Sequence, residues 1–120
     1  MPDAIRQFIA AHVPSVERLE VLLLLCESRP RTWTIDEIEQ RIRSSRESIA
    51  QHVAALITGR LFVALDVAPV RYRFAPEAPA LERVVVDLAH SYRMRRVTVI
   101  QQIYAERANR LANDSPACST

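Results

Sequence analysis

Apolar positions along this chain keep a helical spacing up to residue 59, alternate from 61 to 74, and return to helical spacing after 80. In residues 3–13 the spacing of Ile5, Phe8, Ile9 and Val13 predicts a short amphipathic helix that ends at Pro14. Ser15 then stands where a side-chain oxygen caps a second helix, in which Val16, Leu19, Leu22, Leu23 and Cys26 form a stripe that Leu24 and Leu25 widen. A helix apolar nearly all round belongs in the centre of a core. Pro30 and the β-prone Thr32-Trp33-Thr34 take the chain out of that helix into a few extended residues.

Thr34-Ile35-Asp36-Glu37 reads as a capping box, with the threonine oxygen on a backbone N–H three residues on and Glu37 reaching back. The helix it opens, to about residue 43, buries Ile35, Ile38 and Ile42. Ser44-Ser45-Arg46-Glu47 holds a second start, capped either by Ser44 with Glu47 or by Ser45, so one helix stops and another begins within two or three residues. Two short helices joined so tightly make a helix-turn-helix unit. The second helix buries Ile49, Val53, Leu56 and Ile57 and leaves Arg46, Glu47, Ala50, Gln51, Ala54 and Thr58 on or near its open face. Gly59, the one glycine of the chain, falls where a helix end takes a positive φ.

Beyond Gly59 the alternation places Leu61, Val63 and Leu65 on one face. A turn around Pro69 follows, and Tyr72 and Phe74 then return opposite Arg71 and Arg73. The element order is that of a winged helix-turn-helix. The fold class expected is mainly α with a small β-hairpin wing, over 1–75, followed by a C-terminal helical dimerisation segment, 76–112, and a polar tail, 113–120, expected to be disordered.

Charge adds a direction to this frame. The net charge of +2 divides unevenly: residues 1–40 carry −3, residues 41–75 carry +4 and residues 76–120 carry +1, and all 16 basic residues are arginine. A basic middle is what a nucleic-acid face looks like, and also what a solvated surface looks like. His52, three residues after Ile49 and beside Val53, reads as a packed residue or one bonding a backbone carbonyl more readily than as a base reader.

The stretch SRESIAQHVAALITGRLFVALDVAPVRYRF resembles the recognition helix and wing of winged-helix transcriptional regulators of the broad MarR-like and ArsR-like type. The resemblance lies in the serine-rich helix start, the polar-His pair Gln51-His52, Leu56, Gly59, and the Arg71-Tyr72-Arg73 return strand, and it covers roughly residues 15–75. Two features depart from the pattern: Gly-Arg-Leu in place of the commoner Gly-Leu, and a short wing tip, Val67-Ala68-Pro69-Val70.

The resemblance implies a sequence-specific regulator that binds duplex DNA as a homodimer. The start of the second helix would enter the major groove and the wing would meet the adjacent backbone or minor groove. On that basis Ser44, Ser45, Arg46 and Ser48 lie near phosphate or base edges, Gln51 pairs an adenine, and Arg43, Arg60, Arg71 and Arg73 contact the backbone. The alternative from another class is a winged-helix module that binds a protein, an adaptor or antagonist of another regulator, and the alanines at 50, 54 and 55 lean that way.

The C-terminal third carries Leu81, Val84, Val85, Leu88, Tyr92, Val99, Ile100, Ile103 and Tyr104 at helical spacing, interrupted by Arg93-Met94-Arg95-Arg96. It is either one long helix or two that part near His90 and Ser91. A three-helix core with a hairpin leaves that stripe uncovered, so burial against a twin subunit is expected. Asp87 and His90 share a helical face and match a pair found in the sensing sites of ArsR-like proteins, but two ligands fall short of the four zinc takes, so no metal or cofactor is expected. The three histidines are widely spaced with no evident Cys or Ser partner, and no glycine-rich phosphate loop or nucleophile motif is present, so catalysis is not expected. Asp3 precedes any basic residue and the apolar run at 21–26 is far short of a membrane span, so a cytoplasmic protein with no membrane contact is expected.

Overall fold

A computed structural model describes residues 1–113, with the side chains of 111–113 left out; the tail read from the sequence lies, from residue 114 onward, outside the described residues. Six helices and one two-stranded antiparallel sheet follow one another as α1 (Asp3–His12), α2 (Val16–Glu27), α3 (Ile35–Ile42), α4 (Arg46–Thr58), β1 (Phe62–Leu65), β2 (Arg71–Phe74), α5 (Pro79–Met94) and α6 (Arg96–Asn113). This mainly helical architecture is compatible with a winged helix. No described helix is long and apolar enough to cross a membrane.

Local chemistry sets the helix starts. The Ser15 hydroxyl accepts from the Arg18 N–H and caps α2. Both halves of the Thr34–Glu37 capping box form at α3. Of the two serines before α4, Ser45 is the cap, accepting from the Ser48 N–H. Each such cap is worth about 1 kcal/mol by satisfying a donor the first turn would otherwise leave open.

α2 is the axle: Leu19, Val21, Leu22 and Leu25 are fully buried, and α3, α4, α5 and β2 all pack on it. Trp33 extends the sheet by one rung through paired backbone bonds with Tyr72, of 2.8 and 2.7 Å. Its indole donates to the Ser28 hydroxyl at 2.9 Å, so the buried ring leaves no open donor.

Three expectations are corrected. Gly59 has φ −76°, and it is Arg60, φ 64°, that takes the left-handed turn; Arg43, φ 57°, does the same at the end of α3. Gly59 is needed for its size, because a Cβ there would lie 2.9 Å from Nδ1 of His12. In the hairpin, Leu61 and its neighbour Phe62 are both buried, while Val63 and Leu65 are only half-buried. Arg60 takes the left-handed turn just before the strand, and Phe62 pairs across from Phe74 on the core side, where Tyr72 also packs.

The third correction concerns the C-terminal stripe. The helix breaks at Arg95, four residues after Ser91, and α6 folds back on α5 while α1 packs against both. Val85, Leu88, Val99 and Ile103, read as a surface for a twin subunit, are buried in this chain's own core. α1 supplies the cover that a count of three core helices leaves out, through Ile5, Phe8 and Ile9. Leu81, Val84, Tyr92 and Ile100 are half-buried and Tyr104 is exposed.

Candidate nucleic-acid interface

The inner face of α4 is organised around one carboxylate from another helix. Glu17, in the first turn of α2, accepts from the Ser44 hydroxyl, from the Ser48 hydroxyl at 2.6 Å and from Nε2 of His52. Nδ1 of the same imidazole accepts from Nε of Arg18 at 3.1 Å, which places the ring proton on Nε2, facing Glu17. Three donors from the turn and the first two turns of α4 thus converge on two oxygens. The Ser44 bond, then the Ser48 bond, hold the Glu17 carboxyl down at about 2. His52 is half-buried, as a packed residue would be, and its bonds go to side chains of α2 and not to a backbone carbonyl.

The outer face of α4 carries little chemistry of its own. Glu47, Ala50, Gln51 and Ala54 are exposed, and Arg46 reaches back to pair with Asp36 at the start of α3. Arg43, just before α4, is exposed, and its left-handed backbone closes α3 through a 2.8 Å bond to the Glu39 carbonyl. Past the other end of the helix, Arg60 pairs with Glu77 at 2.6 Å, both side chains well exposed.

Adjacent arginines of β2 have different fates. Arg71 donates from Nε to the Thr32 hydroxyl at 2.7 Å, and from Nη2 to the Thr32 carbonyl and to Glu37 Oε1, both at 2.9 Å. Glu37 therefore both closes the capping box of α3 and anchors the hairpin. Its carboxyl is held below the ordinary value, chiefly by the Thr34 N–H, with Arg71 assisting. Arg73 points outward and has no ion-pair partner among the described residues. The turn between the strands exposes Val67 and Val70.

Of the sequence-derived contacts, Ser44, Ser48 and Arg71 are thus turned inward, and Arg46 and Arg60 are ion-paired on the surface. Arg43, Ser45, Gln51 and Arg73 face solvent, with the Ser45 hydroxyl engaged as the cap. Sequence reasoning missed Glu17, Arg18 and Thr32, whose partners lie 27 to 39 residues away along the chain, where no spacing rule reaches. It also missed the stacking of Arg31 over Trp33, 3.7 Å from the ring centroid, with Arg41 at 5.6 Å.

Asp87 lies 3.8 Å from Arg83, and among the described residues no three His, Cys, Asp or Glu side chains gather as a metal site would need. Arg43, Gln51 and Arg73 are exposed donors, guanidinium and amide, and Ala50 and Ala54 are exposed on α4 with little bulk to keep a partner away. A scan of family models, a search of curated proteins and a search of solved structures each found no match to this chain.

Proposed function

We propose that the protein is a winged helix-turn-helix regulator, with α3 and α4 as the helix pair and β1–β2 as the wing, that binds duplex DNA. The observation that carries this reading is the division of α4 into two faces. The inward polar groups Ser48 and His52 are all bonded to the chain itself, which leaves Ala50, Gln51 and Ala54 clear on the outside, with Arg43 just ahead of the helix. Gln51 suits an adenine edge, and Arg43 and Arg73 suit phosphates. A homodimer presents two such helices to a palindromic site about one turn of DNA apart. With the inner stripe used within the chain, pairing falls to the outer faces of α5 and α6, where Met94, Val97 and Tyr104 are 69%, 66% and 58% exposed.

A second reading, a module that binds a protein partner, is favoured by the pairing of Arg46 with Asp36 and Arg60 with Glu77 and by the apolar wing tip. One experiment separates them: selection from a pool of random duplexes, followed by titration at several salt concentrations. The DNA reading expects an enriched sequence, and a log–log salt slope that shrinks by about one unit for each of Arg43→Gln and Arg73→Gln. No enrichment, together with affinity indifferent to salt, rejects it in favour of a protein partner. Pairing is read separately by mass in solution: Val97→Glu with Tyr104→Glu is expected to convert a dimer to a folded monomer, and a wild-type monomer at tens of micromolar rejects it.

A further inference from the structure

We infer that Glu17, a residue outside the helix-turn-helix pair, is the positioning residue that sets the orientation of α4, and with it the base-reading register. The inference rests on the DNA reading for its functional half; its structural half stands alone. Glu17 is the single acceptor for donors at three successive levels: Ser44 in the turn, Ser48 in the first turn of α4 and His52 one turn further. Three points along an axis, all tied to one side chain, fix both the rotation of a helix and its slide along that axis. Apolar contacts fix neither so sharply, because Ile49, Val53 and Leu56 are non-directional and tolerate rotation at little loss of buried area.

The set also requires an acceptor-only group. A glutamine at 17 keeps the size but offers one oxygen for three donors, and turns its own NH₂ toward one of them. The helix must then shift or leave a half-buried donor open. Arg18 strengthens the arrangement from behind: by donating to Nδ1 it holds His52 in the tautomer that gives its proton to Glu17. Arg18 is half-buried, and the like charge of Arg110 in α6 acts on it as a repulsion.

Glu17→Gln and Ser48→Ala should be compared with wild type by amide hydrogen exchange and by affinity for the selected duplex and for a scrambled one. Faster exchange confined to residues 45–52 is expected, with α2, α5 and α6 unchanged. Affinity for the selected duplex is expected to fall on the order of tenfold in Glu17→Gln, about 1.4 kcal/mol, with affinity for the scrambled duplex unchanged. Ser48→Ala, which removes one of the three donors and leaves the charge in place, should show a smaller effect of the same kind. Unaltered exchange in both variants overturns the inference, and so does an equal loss on both duplexes accompanied by faster exchange throughout, which marks a merely structural role. If wild type binds no duplex, the DNA reading fails, and the exchange pattern alone still decides whether Glu17 orients α4.

Discussion

The α2–α4 junction and the α1–α5–α6 packing are both helix contacts in one small core, yet they are held by different forces. At the first, Ser44, Ser48 and His52 are hydrogen-bonded to Glu17. At the second, Ile5, Phe8, Val85, Leu88, Val99 and Ile103 belong to one buried apolar cluster. Burial of apolar area supplies stability in proportion to area and indifferent to angle, whereas hydrogen bonds to a carboxylate supply less and are lost with small rotations. Stability therefore resides chiefly in the apolar packing, and geometry in the bonds to the carboxylate.

Substitution in the apolar packing is expected to have the largest effect. Leu88→Ala, at a position with no exposure, is expected to cost about 2–5 kcal/mol, read as a fall in the midpoint of chemical denaturation. The orientation of α4 should survive in the fraction still folded. An intermediate effect belongs to the far end of α4, where Gly59→Ala pushes a methyl into the His12 ring, itself packed on Phe8 at 4.8 Å. A loss of about 1–3 kcal/mol is expected, largely recovered in the double variant with His12→Ala. No recovery would mean that the glycine serves something other than clearance.

The smallest effect sharpens the polar side. Glu17 has a folded value of about 2 against an ordinary 4.5, so its contribution is present above pH 4.5 and is lost as the pH falls toward 2. With a side chain one-third exposed, solvent screening reduces that contribution to about 1–2 kcal/mol. In Glu17→Gln the loss of stability between pH 4.5 and 2 should be correspondingly shallower. His12 works in the same direction at higher pH: burial lowers its pKa, so protonation as the pH falls through its ordinary range of 6.5 opposes folding, and His12→Ala removes that component.

What was legible in the sequence follows the same division. Caps act within three residues, so Ser15, Thr34 and Ser45 announce themselves, as do the stripes that place Leu22, Ile38 and Leu56 inside. Glu17 does not, because an acid in the first turn of a helix is already explained by that helix's dipole, and nothing local marks a second task. Gly59 was legible as special but not as to why, since glycine offers both freedom of φ and absence of bulk. The apolar stripe of α5 and α6 was legible as buried, while what buries it depends on α1, some 80 residues away in sequence. Arg71 and Arg73 are identical by pattern, and only the approach of Thr32 and Glu37 to the hairpin distinguishes them.

The two left-handed backbones flanking α4 leave a particular constraint on any redesign. Arg43 and Arg60 sit where a residue with a Cβ costs roughly 1 kcal/mol relative to glycine. A glycine at either site relaxes the main chain and deletes a positive charge in the same step. Thermal hardiness and surface charge are therefore opposed at these positions, and a variant selected only for heat resistance would drift toward losing the cations at both ends of the helix.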